Sequence, residues 1–256
     1  MNKITLYVVT HKDFLEKLVD RTIIGVGSNK KIGGVDLYDD TGNNISKKNE
    51  YYCELTALYW IWKNDSSDIV GLEHYRRQFL YGNYILNKKK VDILLKDNDI
   101  LVPHKVNLVQ SIYHNYVKQH GEKELLEVED IIKHKYPEYI NAFNRLKKTN
   151  KIYICNMFIA KKKFVDNYCQ WLFDILFELE KRVDLSNKSN YQKRMLGFMA
   201  ERLFNVYLYK HKQNLKIKSL PIRKPQNGDN FPYEFSIQRE FKYIIKKVVN
   251  YEKMYR

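Results

Sequence analysis

Four consecutive side chains, His74-Tyr75-Arg76-Arg77, form the block of the chain best suited to bind a phosphate group. Each arginine carries a planar, permanently charged guanidinium that matches the geometry of phosphate oxygens. Residues 68–73 (DIVGLE) precede the block and are an apolar run that predicts a buried strand. Ligands of open α/β sheets bind at the carboxyl ends of such strands. We therefore expect Arg76 and Arg77 to face a diphosphate, the alternative being that they pair with surface carboxylates.

Two further segments place polar residues among apolar ones. Residues 151–160 (KIYICNMFIA) predict an apolar strand with one amide, Asn156, in its middle. A buried amide needs a hydrogen-bond partner, so Asn156 either satisfies a backbone bulge or faces a ligand such as a sugar hydroxyl, which we favour. In the helix predicted from residue 190, Arg194 and Glu201 are about two turns apart and near one face. Glu201 is therefore an ion-pair partner or a carboxylate in a cleft, where it would act as a base.

The elements that position these residues begin with a strand, a loop and a helix. Residues 4–10 (ITLYVVT) predict the strand, and residues 14–21 predict the helix. This order is typical of the start of an α/β nucleotide-binding domain, and it puts Thr10, His11 and Lys12 at the carboxyl end of the strand. We expect these three residues at a nucleotide, unless the loop is an ordinary exposed connection.

The remaining elements are expected to form the core and to cover the site. Residues 51–64 (YYCELTALYWIWKN) have apolar side chains at helical spacing, and residues 99–103 (DILVP) predict another strand. Residues 111–145 predict a charged helical insertion that covers the site, and residues 164–183 predict a further helix. Within the predicted insertion, His114 and His120 lack the HExxH or HxH spacing of a zinc site.

The composition limits the class of protein. The 256 residues, 44% of them hydrophobic, suffice for one substantial core, and no apolar run is long enough to span a membrane. Cys53, Cys155 and Cys169 are widely spaced, which predicts buried reduced thiols. The net charge of +15 favours polyanionic partners such as nucleic acid, anionic lipid or nucleotide diphosphates. A nucleic-acid-binding protein is thus a rival hypothesis, although the sequence contains no recognisable nucleic-acid-binding motif.

The last part of the chain is basic and amphipathic. Residues 234–256 (EFSIQREFKYIIKKVVNYEKMYR) carry apolar residues at helical spacing beside lysines and arginines. Such a helix either docks on the body of the protein or lies on an anionic membrane surface. We expect one domain over residues 1–220 and a basic C-terminal extension over residues 221–256. The protein is expected to be cytoplasmic, and peripheral on the inner face of the membrane if the extension binds lipid.

Five blocks of the sequence together resemble one bacterial family. They are N-I-S-x-x-N at residues 44–49, C-E-L-T-A-L-Y-W-I-W-K-N at 53–64, G-L-E-H-Y-R-R at 71–77, N-M-F-I at 156–159 and R-x-x-G-F-x-x-E-R-L at 194–203. The family comprises exopolysaccharide and capsule biosynthesis proteins, long catalogued as a domain of unknown function and regarded as glycosyltransferases. The resemblance covers residues 3–220, and the His-Tyr-Arg-Arg block is its most specific part.

The resemblance implies a GT-A-like α/β fold. Its nucleotide-sugar-binding domain would have a mixed central sheet flanked by helices, a helical insertion and a C-terminal helix. The donor would be a nucleotide sugar, UDP-linked, with UDP-galactofuranose as one candidate. The acceptor would be a lipid-linked sugar or an oligosaccharide of a growing surface polysaccharide, and no nucleic acid would be bound. Metal-dependent transferases hold a divalent cation at the equivalent strand end. Arginines at that position favour metal-independent chemistry without a cofactor, and use of a divalent cation is the alternative.

The same resemblance, with the strand-end position of residues 10–12, yields a set of expected site residues. The residues expected at the donor are Thr10, His11, Lys12, Asn49, Thr56, Arg76, Arg77 and Asn156, those expected at the acceptor are Met157 and Arg194, and those expected in catalysis are Glu201, His74, Arg76 and Arg77. Within this set the two consecutive arginines would stabilise the diphosphate leaving group, and Glu201 would be the base. A non-catalytic scaffold of polysaccharide assembly is the alternative to an enzyme.

Overall fold

A computed structural model describes residues 2–27 and 31–223. Its strands are β1 (Ile4–Thr10), β2 (Thr22–Gly25), β3 (Leu37–Tyr38), β4 (Ile69–His74), β5 (Leu80–Tyr81), β6 (Tyr84–Ile85), β7 (Ile100–Pro103), β8 (Val106–Asn107), β9 (Lys151–Ile152), β10 (Phe158–Lys161) and β11 (Ile217–Leu220). Its α-helices are α1 (Asn49–Tyr52), α2 (Leu55–Asn64), α3 (Lys88–Asp97), α4 (Ile112–His120), α5 (Lys123–Lys135), α6 (Ile140–Asn144), α7 (Lys162–Arg182), α8 (Asn190–Lys193) and α9 (Met195–Lys210).

Seven strands form one sheet, in the order β11, β7, β10, β4, β1, β2, β3. β1 is parallel to β2 and β4, and β7 is parallel to β11, whereas β10 is antiparallel to both of its neighbours. The central strands β1 and β4 are almost entirely buried, which explains why they consist of continuous apolar runs. The mixed sheet flanked by helices confirms the predicted fold class.

A buried ion pair fixes the loops at the carboxyl ends of the two central strands. The side chains of Arg21 and Glu73 have no exposed surface, and the guanidinium donates to both carboxylate oxygens. Arg21 also donates to the carbonyl of Leu86 at 2.8 Å, and Glu73 accepts from the backbone N–H of Phe79 at 2.7 Å. Buried charges are tolerated only with such partners, so this pair holds the loop after β1 against the loop after β4.

Helices α7 and α9 form the main helical part of the core. The buried residues of α7 recur at intervals of three and four, as in a helix with one face in the core, and this helix packs on β4, β10, α2, α5 and α9. Helices α4, α5 and α6 confirm the predicted helical region at 111–145. That region packs against α7 and α9, and none of its residues lines the cleft described below, so the expectation that it covers the site was wrong.

The predicted helix over residues 14–21 was also wrong. These residues form an irregular loop. The backbone N–H of Phe14 donates to the carbonyl of Gly33 at 2.9 Å, and the end of the loop is fixed by the buried guanidinium of Arg21. Tertiary contacts of the two ends therefore override the local helical pattern.

Three predicted elements are interrupted. The strand over residues 151–160 is divided into β9 and β10 by a turn at Cys155 and Asn156, whose φ angles are 70° and 49°. The helix over residues 51–64 breaks at Cys53, with φ 51°, and the helix from residue 190 breaks at Arg194. The last two breaks, and the turn at residue 155, all lie at the candidate site.

The structure describes only the first residues of the C-terminal extension. Ile222 pairs with Phe79, and the guanidinium of Arg223 donates to both carboxylate oxygens of Glu16 at 2.6 and 2.7 Å. The predicted amphipathic helix at residues 234–256 lies outside the described residues. Within residues 2–27 and 31–223, no helix is both long enough and apolar enough to cross a membrane.

Candidate active site

The His-Tyr-Arg-Arg block forms a tight turn at the carboxyl end of β4. The backbone N–H of His74 donates to the carbonyl of Arg77 at 3.1 Å, and the N–H of Arg77 donates back at 2.9 Å. The N–H of Tyr75 donates to the carbonyl of Val9 at 3.0 Å, which ties the turn to β1. Because β1 and β4 are parallel with Val9 opposite His74, the block and His11 emerge at the same edge of the sheet.

A cleft of about 640 Å³ opens at this edge. Its walls combine the ends of β1 and β4 with the start of the loop after β2, with the α1–α2 region and with the α8–α9 junction. The lining residues are Val9, His11, Val26, Asn49, Glu50, Cys53, Glu54, His74, Tyr75, Arg76, Arg77, Asn190 and Arg194. A smaller cavity of about 230 Å³ adjoins the cleft, and it is lined by Cys53, Glu54, His74, Arg77, Cys155, Tyr191, Arg194, Gly197, Phe198 and Glu201.

Three guanidinium groups give the cleft its charge. Arg76 and Arg77 come from the turn after β4, and Arg194 comes from the α8–α9 junction, where its Nε donates to Cys53 Sγ at 3.3 Å. Of the two carboxylates in the cleft, Glu50 already pairs with Lys193, which lies 2.7 Å away. The cleft therefore presents an excess of positive charge, as a binding site for an anion requires.

Glu54 is the other carboxylate of the cleft and lines both cavities. Only 13% of its side chain is exposed, Asn156 Nδ2 donates to its Oε1 at 2.8 Å, and His74 Nε2 lies 3.9 Å from the same oxygen. Burial raises the pKa of Glu54, while the hydrogen bond from Asn156 and the charges of Arg194 and Arg77 oppose the rise. A carboxyl group with a raised pKa beside a cavity is suited to accept a proton.

The imidazole of His74 is uncharged at neutral pH. Burial, followed by the positive charges of Arg77, Arg194 and Arg76, lowers the pKa of His74 to about 4. Its Nε2 is buried and has no hydrogen-bond partner among the described residues. Burial also lowers the pKa of His11, again with a contribution from nearby cations. The positive charge of the cleft therefore comes from the arginines and not from the histidines.

The turn at Cys155 and Asn156 brings the amide to Glu54. Two consecutive residues other than glycine in the left-handed region are rare and need support from their surroundings. Helix α9 provides it, because Glu201 Oε1 accepts from the backbone N–H of Cys155 at 2.7 Å and the carbonyl of Gly197 accepts from Asn156 Nδ2 at 3.3 Å. The break in the predicted strand therefore serves to position Asn156.

Comparison with known proteins identifies the family. The family model described as a domain of unknown function, DUF4422, matches residues 5–213. The chain belongs to the DUF4422 family. Among curated proteins, none matches it significantly.

The chain is also similar to a solved structure, that of apo WbbM, a bifunctional glycosyltransferase. The identity is 31% with a TM-score of 0.79, over 92% of this chain. The chain spans only 48% of WbbM. The likeness covers nearly the whole of this DUF4422 chain, and it is consistent with the GT-A-like fold expected from the sequence.

Several of the residues predicted for the site line the cleft of this DUF4422 chain. They are His11, Asn49, His74, Arg76, Arg77 and Arg194. Glu201 lines only the smaller cavity, and its carboxylate is engaged by the protein, since Oε1 accepts from Cys155 and Oε2 accepts from Arg202 Nη1 at 3.0 Å. Its role as a base stays a prediction.

The other predicted residues do not line the cleft. Thr10 and Thr56 are fully buried, and their hydroxyls donate to the carbonyls of Lys12 at 2.6 Å and Cys53 at 3.1 Å. Met157 belongs to the core, and Lys12 is exposed beside the cleft. The buried Asn156 reaches Glu54 instead of the open cleft. Apart from the exposed Lys12, these side chains shape the backbone or the core around the site, because their hydroxyl, amide or thioether groups point into the protein.

In the described part of the chain, the cysteines and acidic groups do not form a metal site. All three cysteines are free thiols, Cys155 and Cys169 being buried as predicted and Cys53 half-buried at the cleft. Burial raises the pKa of Cys53 to about 11, so this thiol is protonated at neutral pH. Across residues 2–27 and 31–223, no three histidine, cysteine, aspartate or glutamate side chains are grouped so that they could hold a metal ion.

Glu54 is the main site residue that the sequence did not reveal. It lies within the C-E-L-T block and directly precedes α2, but its side chain does not cap that helix. A carboxylate at the start of a helix usually accepts from the free backbone N–H groups there. Its place in the lining of the cleft, and its contact with Asn156, which is 102 positions away, appear only in the folded structure.

Proposed function

We propose that the chain is a glycosyltransferase that moves a sugar from a nucleotide-diphosphate donor to an acceptor hydroxyl. The observation that carries the proposal is the convergence of Arg76, Arg77 and Arg194 on one cleft at the carboxyl ends of β1 and β4. Guanidinium groups match a diphosphate in charge and geometry. Membership of the DUF4422 family and similarity to WbbM, itself a glycosyltransferase, support the same reaction class.

In this proposal the arginines bind the diphosphate of the donor and stabilise it as it leaves. Negative charge builds up on the phosphate oxygen when the bond to the sugar breaks, and fixed cations stabilise that charge in the transition state. The guanidinium of Arg194 also donates to Cys53, and this contact joins it to the wall of the cleft. We propose that these cations act in place of a divalent metal ion.

We assign the general base to Glu54. Its carboxylate takes the proton of the acceptor hydroxyl, and the hydroxyl oxygen attacks the anomeric carbon of the sugar. The bond between that carbon and the phosphate oxygen breaks at the same time, and the electron pair of the bond leaves with the diphosphate. Such a single displacement inverts the anomeric configuration. The raised pKa of Glu54 suits proton acceptance, and the amide of Asn156 orients the carboxylate. Glu201 is the alternative base, with the handicap that both of its oxygens accept hydrogen bonds from the protein.

The family resemblance extends the proposal to the substrates. The donor is a UDP-linked sugar, with UDP-galactofuranose as a candidate, and the acceptor is a lipid-linked sugar or an oligosaccharide of a growing surface polysaccharide. A basic C-terminal extension that lies on the inner face of the membrane would bring the enzyme to such an acceptor.

Binding of UDP and UDP-sugars tests the donor site. Ligand at about 100 times its dissociation constant stabilises the fold by about 2.7 kcal/mol, so thermal unfolding with and without manganese should give a higher Tm. The variant Arg77→Ala should bind UDP about tenfold to a hundredfold more weakly, since it loses a charge-assisted partner. Arg145→Ala, which removes an exposed arginine outside the cleft, is the matched control and should bind as the wild type does.

The donor-site assignment is refuted if no UDP compound raises the Tm under either condition. Equal loss of UDP binding in Arg77→Ala and Arg145→Ala would show that the general positive charge, and not the cleft, attracts the nucleotide. Release of UDP from a UDP-sugar in the presence of a lipid-linked acceptor would then establish turnover and separate an enzyme from a non-catalytic scaffold.

A further inference from the structure

The loop that follows β1 begins at the cleft and exposes apolar side chains farther along. Leu15 is 88% exposed and Val19 is 83% exposed, whereas Phe14 and Leu18 in the same loop pack into a small apolar cluster under it. The loop begins directly after His11, which lines the cleft. Burial of these two aliphatic side chains against a partner would be favourable.

The acidic residues of this loop are bonded to the protein and its lysines are not. Asp13 accepts from the backbone N–H of Gly33 at 2.7 Å, Glu16 pairs with Arg223, and Asp20 accepts from the N–H of Lys88 at 3.2 Å. The side chains of Lys12 and Lys17 are exposed, and neither forms an ion pair with a described residue. The acidic side chains therefore bind the loop to the rest of the protein, and the lysines and aliphatic side chains of the loop point outward.

A second exposed apolar group lies beside this loop. In the β5–β6 hairpin, Tyr84 is 81% and Tyr81 is 46% exposed, and Lys90 Nζ lies 4.1 Å from the ring centre of Tyr81. The hairpin follows the His-Tyr-Arg-Arg turn, and Arg21 at the end of the loop donates to the carbonyl of Leu86 at 2.8 Å. The loop and the hairpin therefore form one exposed rim, composed of Leu15, Val19, Tyr81 and Tyr84.

We propose that this rim inserts into the interfacial region of an anionic phospholipid membrane. Aliphatic tips, tyrosines and lysines are the side chains that bind there, because the apolar groups enter the acyl boundary while lysines stay with the anionic headgroups. Lys12, Lys17 and Lys90 outnumber Asp13 and Asp20, the two carboxylates of the loop that have no cationic partner among the described residues, so this surface retains positive charge for anionic headgroups. The four rim side chains lie outside the basic extension at residues 221–256, so substitutions can test the rim while the extension is left unchanged.

The orientation that this attachment imposes has a consequence for the proposed transferase. The rim consists of the segments that follow β1 and β4, and the same strand ends form the cleft. Insertion of the rim therefore holds the cleft close to the headgroups. If the proposed function is correct, a lipid-linked acceptor can then reach the cleft without leaving the membrane.

Vesicle co-sedimentation of the full chain tests the rim. We compare the wild type with the double variant Leu15→Asp/Val19→Asp, on vesicles of phosphatidylcholine with phosphatidylglycerol and on vesicles of phosphatidylcholine alone. The partition coefficient of the variant on anionic vesicles should fall by at least about tenfold, since two apolar groups are lost and two like charges are added. The matched control Ile93→Asp/Leu126→Asp, which changes side chains that are 45% and 49% exposed on α3 and α5, should bind as the wild type does.

Three results would overturn the proposal. The first is wild-type binding by Leu15→Asp/Val19→Asp, which would leave the extension as the sole membrane contact. The second is an equal loss in the control, which would indicate a general charge effect. The third is a change of oligomeric state in the Leu15→Asp/Val19→Asp variant alone, measured by analytical ultracentrifugation, which would assign the rim to contact between copies of the chain. Turnover of a UDP-sugar without vesicles should be unaffected by the rim variant, so failure of the proposed function would appear there and not in the sedimentation.

Discussion

Replacement of the proposed base, Glu54→Gln, should abolish most of the activity while leaving the fold intact. Glutamine has the shape of glutamate, and its Oε1 can still accept the hydrogen bond that Asn156 Nδ2 donates at 2.8 Å. Burial raises the pKa of Glu54, which means that the folded protein destabilises the charged form. The neutral amide removes that penalty, so we expect a Tm equal to or above that of the wild type at neutral pH.

The magnitude of the activity loss follows from the role of the group. Loss of a positioned base lowers the rate by about 10² to 10⁴, equivalent to about 2.7–5.4 kcal/mol in the activation barrier. No other carboxylate is placed to replace it among the described residues of the cleft, because Glu50 pairs with Lys193. KM for the donor should change little, since the diphosphate is bound by the arginines.

The assay is release of UDP measured over a range of pH. A base must be deprotonated to act, so the wild type should lose kcat/KM as the pH falls through the pKa of Glu54, and that loss should begin at a higher pH than an ordinary glutamate gives. His74, whose pKa is lowered to about 4, stays neutral across most of this range and does not produce the same limb. The residual activity of Glu54→Gln should lack this dependence.

Two parallel variants make the assignment refutable. Glu50→Gln removes a neighbouring carboxylate at the exposed part of the cleft and should keep most of the activity. Glu201→Gln tests the alternative base. If Glu54→Gln retains more than about a tenth of the wild-type kcat, whereas Glu201→Gln loses it with an unchanged Tm, the reasoning from burial and hydrogen bonding is wrong and Glu201 is the base.

Three further changes test the supports of the site. Asn156→Ala should lower kcat by about tenfold to a hundredfold with little change in KM in steady-state kinetics, because the carboxylate of Glu54 loses its orienting donor. Rescue of kcat by Asn156→Gln would argue against a defined geometry. Arg21→Met should reduce the free energy of unfolding by about 3–5 kcal/mol in denaturant titration, since Glu73 would remain as a buried unpaired charge. A loss of free energy below about 1 kcal/mol would show that water reaches the pair. Gly71→Ala should reduce the free energy of unfolding by about 1–3 kcal/mol in the same assay, because the added carbon would lie 2.8 Å from a side chain of β1 and 2.9 Å from one of β10. An unchanged midpoint of denaturant unfolding would mean that both strands shift without cost.

The parts of the site that could be predicted from the sequence are those set by local structure. The strand over residues 68–73 and the block after it are contiguous, so the position of Arg76 and Arg77 at a strand end follows from hydrophobic patterning and chain order. The same applies to His11 after β1. In contrast, Thr10 and Thr56 were expected at the donor from position or family block, but the side chain of a residue beside a site can turn inward, as both hydroxyls do.

Helical and strand patterns were reliable where the whole segment is buried on a regular surface, as in β1, β4 and α7. They failed where a polar contact from a distant element holds an irregular backbone. Residues 14–21 have a helical pattern but are fixed by Gly33 and by the buried guanidinium of Arg21. The turn at Asn156 interrupts a run that is otherwise typical of a strand, because α9 supplies hydrogen bonds to a left-handed backbone.

The sequence by itself determined the α/β class, the two central strands and the arginines that follow one of them, because these features depend on residues adjacent in the chain. Only the tertiary structure decided which carboxylate faces the cleft. Glu54 meets Asn156 across 102 positions, and Arg194 meets Cys53 across 141 positions. Such contacts arise from the packing of α2 and α9 around the sheet edge. Hydrophobic periodicity indicates only whether a side chain is inside or outside, so it contains no information about which polar groups will meet there.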